Sequence, residues 1–182
     1  MLLPPITISC SHEHAAWRGT VSISARTLHQ VVTDIAESLH ASGTSRLVLV
    51  NGHGGNYVLA NIVQEASVQG SCMGLYPQGR DWEQARRDAG LESSGHDDMH
   101  AGEIETSILL ATYPEVIRAG NETADWTADD RPHLLTLGMA SYTKSGVIGR
   151  PSLGTTAKGH AVLNSLVRSF KPGLAVLSEE EP

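Results

Sequence analysis

The sequence is poor in the features that mark secreted, membrane-spanning and nucleic-acid-binding proteins. It has two cysteines in 182 residues, too few for a disulfide framework, so a reducing cytoplasm is the expected compartment. No apolar run approaches the ~20 residues of a membrane-spanning helix, and no signal peptide is expected. The 13 lysines and arginines form no basic stripe and the net charge is −7, which argues against a nucleic-acid partner. A chain of this length can bury a single hydrophobic core.

Strand-like and helix-like segments alternate along the chain. Apolar residues at helical spacing or polar helical composition predict five helices, at residues 28–39, 57–69, 80–90 (polar and on the surface), 103–112 and 155–170. Short apolar runs predict four strands, at residues 6–9, 20–24, 47–50 and 72–76. This order predicts one α/β domain over residues 1–177, a three-layer α/β/α arrangement with a mainly parallel sheet. Residues 178–182 are predicted to be a solvated acidic tail.

The most informative segment is a glycine-rich loop around one histidine. Residues 51–56 (NGHGGN) follow the strand predicted at residues 47–50 and precede a predicted helix. They therefore form a loop at the carboxyl end of a parallel strand, which is where open α/β sheets bind ligands. Glycines let the backbone turn sharply and approach a ligand closely. A lone histidine is usually structural, but this setting favours a functional role for His53.

A second polar cluster lies at the start of the helix predicted over residues 103–112. Asp97 and Asp98 are explained by the partial positive charge of a helix amino terminus. That explanation fits His100 and Glu105 less well, because a first helical turn needs no histidine. Imidazole and carboxylate groups are ligands for zinc, manganese or iron. The cluster is therefore a candidate site.

Four sequence blocks, taken in order, resemble the creatininase (creatinine amidohydrolase) family. They are SHEHAAWRGTVSIS at residues 11–24, NGHGGN at residues 51–56, HAGEIETS at residues 100–107 and GVIGRPSLGTTAKGH at residues 146–160. The resemblance implies a compact α/β fold, a one- or two-metal centre and hydrolysis of C–N bonds in cyclic or linear amides. It also implies a homo-oligomer, which in related enzymes is a ring-like hexamer.

The resemblance assigns roles to individual residues. It implies that His53 binds the metal, that Glu105 is a carboxylate ligand and that His100 is the catalytic group that moves protons. Zinc is the expected cofactor, with manganese or iron as alternatives. Creatinine-cleaving members have a glutamate two residues after the loop histidine, where this chain has Gly55. The carboxylate is therefore expected from Glu105, or the centre holds a single metal.

The amino end departs from the family pattern. Full-length members begin with a strand and a loop that supply a Glu, a His and a bridging Asp to the metals, and this sequence has no such stretch. The amino-terminal strand and helix of the fold are therefore expected to be missing. A gene model begun at an internal methionine, a fragment and a decayed paralogue are all compatible with this pattern.

The substrate is predicted only as a class. His14, Asn51 and Asn56 are predicted to bind substrate, although asparagines also close turns. Creatinine-cleaving members place two tryptophans around the ring, and the matching neighbourhoods here hold His96 and Pro77, so creatinine is not expected. The family branch that serves the mycofactocin system as a peptidase also carries NGHGGN, which favours a small amide or peptide as the substrate.

Two alternatives stay open: a catalytically inactive paralogue acting as a binding or scaffold subunit, and a hydrolase of sugar-derived lactone rings with the same metal centre.

Overall fold

The computed structural model describes residues 1–68 and 72–178. These residues fall into two compact units, one drawn from Met1–Tyr76 and Gly173–Pro182 and the other from Pro77–Pro172. The single domain over residues 1–177 stays a prediction. Of the predicted acidic tail, residues 179–182 lie outside the described residues, as does Gln69 at the end of a predicted helix.

The first unit is built around a parallel strand pair with two helices. Its elements in chain order are α1 (Ala25–Ala41), β1 (Arg46–Val50), α2 (Val58–Val68) and β2 (Cys72–Tyr76). Arg46 of β1 lies opposite Cys72 of β2, and the register continues to Val50 opposite Tyr76. The helices come together with the strands in one apolar core of buried side chains, which comprises Cys10, Leu28, Val32, Leu59, Ile62, Ala66 and Met73.

Local sequence explains where α1 begins and ends. The Ser24 hydroxyl accepts a hydrogen bond from the Thr27 amide at 3.1 Å, which satisfies one of the amides left unpaired at a helix start. Leu28 and Val32, one turn apart, are both buried because they lie on the same face of the helix. Gly43 has φ +88°, a left-handed conformation that glycine adopts without strain just after a helix.

The second unit is mainly helical. Its elements are α3 (Gly79–Asp88), α4 (Glu103–Thr112), α5 (Leu134–Leu137) and the part of α6 (Thr156–Ser178) that ends at Pro172. Ala85, Ile104 and Val162 form its buried apolar core. Helix α6 approaches α4 closely at Gly159, where an added Cβ would clash with the Ser107 carbonyl and lie 2.8 Å from the Ala111 Cβ. Glycine is therefore required there by space.

Several predicted elements are confirmed and others are wrong. The α/β class and a parallel strand pair are confirmed. No regular strand forms at residues 6–9 or 20–24. These segments are instead joined by a backbone hydrogen bond from Ile23 to Ser9 at 3.0 Å. Helix α3 is not a purely surface helix, since Asp81, Ala85 and Arg86 are buried. Within the two described stretches, no helix combines the length and the apolar character needed to cross a membrane.

Candidate metal centre

The loop after β1 is closed by its own asparagine side chains. The Asn51 carboxamide oxygen accepts from the His53 amide at 3.2 Å and from the Asn56 side chain at 3.0 Å. The Asn51 side-chain nitrogen donates to the His53 carbonyl at 3.0 Å. These bonds fix the backbone on both sides of the imidazole. Asn51 and Asn56 thus hold the loop, and their predicted contact with substrate stays a prediction.

The same loop is tied to the amino-terminal segment. The Cys10 amide donates to the Asn56 side-chain oxygen at 3.1 Å, and the next residue, Ser11, donates from its amide to the Ser22 hydroxyl at 2.8 Å. A single 3₁₀ turn over His12–His14 follows. These anchors bring Glu13 and His14 beside the imidazole of His53.

The resulting cluster joins two imidazoles and one carboxylate. The Glu13 Oε1 atom lies 2.9 Å from His53 Nε2 and 3.5 Å from His14 Nε2. The three candidate ligand atoms of Glu13, His14 and His53 lie within 4.8 Å of one another, a spacing that allows them to hold a metal ion. The three side chains are only 17–30% exposed, so they face a partly desolvated space in which charge interactions are stronger than in water.

The surroundings of His53 Nε2 are rich in oxygen atoms. This nitrogen lies 2.9 Å from the Cys10 carbonyl oxygen, 2.9 Å from Glu13 Oε1 and 3.3 Å from the Ser11 hydroxyl. Since a carbonyl oxygen only accepts, the contact with Cys10 places the ring proton on Nε2, and a cation held there would take the place of that proton. Imidazole nitrogen and carboxylate oxygen are among the donor atoms of zinc sites in proteins. The donor set of this cluster therefore fits a divalent cation.

Cys10 does not add a thiolate to this cluster. Burial, and then the negative charge of Glu13, raise the pKa of the Cys10 thiol. A thiol with a raised pKa stays protonated at neutral pH and is a poor nucleophile and metal ligand. Cys10 thus contributes its backbone amide and carbonyl, while its side chain packs in the apolar core.

The predicted proton-moving residue, His100, lies in the second unit. Its amide and carbonyl both pair with Ile148, and its Nδ1 atom lies 2.8 Å from the Gly146 carbonyl oxygen. Because a carbonyl oxygen only accepts, this contact places a proton on Nδ1. The backbone bridge and the ring contact together fix both the orientation and the tautomer of His100.

The predicted carboxylate ligand, Glu105, is engaged locally. Its Oε2 atom accepts a short hydrogen bond from the Ala101 amide, at the start of α4. Ala101 has φ +52°, the one positive-φ residue other than glycine that the described residues contain. Non-glycine residues held in this conformation carry strain and cluster at functional sites. The roles of His100 and Glu105 stay predictions.

Helix α4 is also held by two buried ion pairs. Asp98 accepts from the amides of Glu103 and Ile104 at 2.6 and 2.9 Å and is paired with Arg86 at 2.9 Å. Glu103 is completely buried and lies 2.6 Å from the Lys158 ammonium. Burial raises the pKa of Glu103, but the hydrogen bonds from Lys158 and from the Ser93 and Glu92 amides outweigh it and lower that pKa.

Sequence reasoning missed Glu13 as a candidate ligand. The residue is flanked by two histidines in the triplet HEH, and three potential ligands in a row were the available signal. His14, predicted to bind substrate, lies in the same cluster. His53 and His14 are thus brought together with Glu13, whereas His100 and Glu105 belong to the other unit.

Known proteins share this sequence pattern and fold. Residues 1–171 match the creatininase family, described as creatinine amidohydrolase. A mycofactocin precursor peptide peptidase of Mycobacterium ulcerans is 34% identical over 174 residues, which cover 92% of this chain and 62% of that protein. A creatinine amidohydrolase of Pseudomonas putida is 26% identical over 167 residues, covering 84% of this chain and 63% of that protein.

Solved structures agree with the fold. A structure described as “Creatininase Mn” superposes with a TM-score of 0.69 at 24% identity, covering 91% of this chain and 68% of that one. A mutant creatininase of “Zn-Zn type” gives the same TM-score and coverage. The chain belongs to the creatininase family, and its creatininase-like α/β fold is confirmed. It spans about 62% of the length of the first curated relative it matches.

Proposed function

We propose that this chain contributes a divalent-metal centre to a hydrolase that cleaves C–N bonds in small amides or peptides. The observation that carries the proposal is the cluster of Glu13, His14 and His53, whose candidate ligand atoms lie within 4.8 Å of one another. The relatives named as a peptidase and an amidohydrolase support the same reaction class. The related structures described with Mn or Zn support a divalent cation without selecting between the two.

Two imidazoles and a carboxylate are suited to holding such a cation. Two neutral donors and one negative charge leave a positive centre after a divalent ion binds. When bound, such an ion supplies the charge that activates water as a nucleophile and polarises an amide carbonyl. The loop hydrogen bonds of Asn51 keep His53 oriented, so the chain does not have to order this ligand when the ion arrives.

The departing nitrogen of an amide needs a proton, and His100 is the residue proposed to deliver it. Its Nδ1 proton is committed to the Gly146 carbonyl. Exchange of a proton with substrate therefore falls to Nε2. Histidine suits this work because its charge changes near neutral pH. Glu105 is proposed as a further carboxylate near the reaction, and assembly into a homo-oligomer is proposed from the family resemblance.

A small peptide or linear amide is the proposed substrate class. Its basis is the 34% identity to the mycofactocin precursor peptide peptidase, compared with 26% to the creatinine amidohydrolase. The preference predicts that a peptide amide is cleaved and creatinine is not. A scaffold role without chemistry and a lactone-ring hydrolase are the competing outcomes of the test.

The test combines metal content with product formation in the full chain. The protein is stripped with a chelator and dialysed against Zn²⁺ or Mn²⁺, and the metal bound per chain is counted. Primary-amine release is measured from a small peptide amide, with formation of creatine from creatinine and ring opening of an aldonolactone in parallel. His53→Ala is expected to abolish metal retention and amine release. His29→Ala removes an exposed histidine paired with Glu65 and is the matched control, expected to behave as wild type.

The outcomes separate the alternatives. Bound metal with amine release from the peptide amide supports the proposal, and bound metal with lactone opening alone overturns the proposed substrate class. A folded chain that retains no metal and hydrolyses none of the three compounds would be a scaffold protein, and the proposal would be rejected.

A further inference from the structure

Gly55 is the point where the loop comes nearest to the metal-capable cluster. A Cβ built on Gly55 would clash with Glu13 Oε1, lie 2.6 Å from His53 Nε2 and lie 2.8 Å from the Cys10 carbonyl oxygen. Real Cβ atoms essentially never come within 3.0 Å of other heavy atoms. A side chain at position 55 and the Glu13 carboxylate therefore compete for one space beside the imidazole of His53.

Backbone conformation does not explain the glycine at this position. Positive φ angles occur at seven other glycines of the described chain, and Gly55 is not among them. An L-residue could therefore adopt the backbone angles of Gly55 without the strain of a left-handed conformation. Gly52 and Gly54 of the same loop also lack positive φ, yet a Cβ at either would meet nothing within 4 Å. The need for glycine at position 55 is a need for space.

The space is filled by a carboxylate that approaches from a distant part of the sequence. Glu13 is held by the 3₁₀ turn that Cys10 and Ser11 anchor, and its Oε1 atom is 2.9 Å from His53 Nε2. A side chain at position 55 would start from a Cβ that clashes with this oxygen and lies 2.6 Å from that same nitrogen. Glu13 and a side chain at position 55 thus cannot both stand beside His53 in this geometry.

We infer that Glu13 is the carboxylate ligand of the metal centre and that Gly55 is glycine because the space beside His53 must admit both Glu13 and the Cys10 carbonyl. The inference rests on the proposed function for the presence of a metal. It goes beyond that function by coupling Glu13 to Gly55, which lies 42 residues later in the sequence.

Metal affinity in a double-variant cycle tests the coupling. The full-length chain is titrated with Co²⁺ and followed by its visible absorption bands, with Zn²⁺ affinity measured by competition against a chromophoric chelator. Glu13→Gln and Gly55→Ala are each expected to weaken affinity by at least about tenfold, since even residues that only orient a ligand cost ~10–100-fold when replaced. The double variant is expected to be no weaker than either single one, because both changes remove the same carboxylate.

Two further variants keep the test decisive. Gly54→Ala adds a methyl group to the same loop where nothing lies within 4 Å, and its affinity is expected to match wild type. Glu13→Asp keeps a carboxylate at position 13 and is expected to bind Co²⁺ more tightly than Glu13→Gln. Thermal unfolding of each variant identifies any that fails to fold, and retained affinity in Glu13→Asp cannot come from a misfolded chain.

Failure of the inference and failure of the proposed function look different. If wild type binds Co²⁺ and Glu13→Gln binds it equally well, the ligand assignment is overturned while the metal centre stands. If the effects of Glu13→Gln and Gly55→Ala simply add, the two positions are independent and the shared space is refuted. If the wild-type chain binds no Co²⁺ or Zn²⁺, the metal centre and the ligand assignment fall together.

Discussion

The buried ion pair between Glu103 and Lys158 is expected to govern the stability of the second unit. Glu103 is 0% exposed and the Lys158 side chain 18% exposed, with 2.6 Å between Oε1 and Nζ. Lys158→Met keeps the length of the apolar stem and removes the charge. Breaking a buried pair from one side costs about 3–5 kcal/mol. The Ser93 and Glu92 amides still donate to the carboxylate at 2.8 and 3.1 Å, so we expect the lower end, about 3 kcal/mol.

Urea unfolding followed by far-ultraviolet circular dichroism measures this cost. The midpoint should fall in Lys158→Met, while Lys171→Met, at an exposed lysine of the same helix, should leave it unchanged. Glu103→Gln with Lys158→Met should be less destabilised than the sum of the single changes, since no uncompensated charge remains. A loss below about 1 kcal/mol for Lys158→Met, or strict additivity in the double variant, would refute the reasoning.

Three further predictions concern pH, strain and helix packing. Burial lowers the pKa of Lys158, but the hydrogen bonds and negative charges of Glu103 and Glu92 together outweigh it and raise that pKa above 10.5, while the pKa of Glu103 is lowered below 4.5. The stability gap between wild type and Lys158→Met should therefore be largest between pH 4.5 and pH 10.5. Urea midpoints should show it shrinking below that range as Glu103 becomes protonated and above it as Lys158 loses its proton. Ala101→Gly should stabilise the chain by about 1 kcal/mol by relieving a left-handed conformation, and an unchanged or lower urea midpoint would contradict this. Gly159→Ala should lower the thermal midpoint by overpacking α4 against α6, at a cost of ~1–3 kcal/mol; Gly173→Ala on the same helix, which meets nothing within 4 Å, is its control and should not destabilise.

Elements with strong local signals could be predicted from the sequence. Strand β2 (Cys72–Tyr76) and helix α4 (Glu103–Thr112) have the predicted bounds, because one is a short apolar run and the other follows Asp98, which accepts from its first two amides. The last helix begins beside a threonine suited to capping, since the Thr155 hydroxyl accepts from the Lys158 amide at 3.2 Å. That helix was predicted to end at residue 170, but it continues through Pro172 to Ser178. Proline usually destabilises the interior of a helix, but Pro172 does not end α6.

The candidate site was only partly predictable because its parts meet through tertiary contacts. The glycine loop identified His53, since strand, loop and helix are contiguous in sequence. No local periodicity of the sequence predicts that Glu13 lies beside His53, because its position depends on the hydrogen bond from the Cys10 amide to Asn56. The ion pair of Glu103 was likewise not predictable. An acid in the first turn of a helix is explained by the helix dipole alone, whereas its actual partner is Lys158, 55 residues away.

The cluster around His53 also couples the assembly of the metal-ligating side chains to folding of the chain. The Cys10 carbonyl and the His53 ring lie 43 residues apart in sequence, so the ligand set exists only after two distant segments have docked. A cation that binds this cluster binds the folded chain and not the unfolded one. By mass action it raises the free energy of unfolding by about 2.7 kcal/mol at a free concentration 100 times the dissociation constant. The resistance of this chain to proteolysis would then follow the concentration of free metal around it.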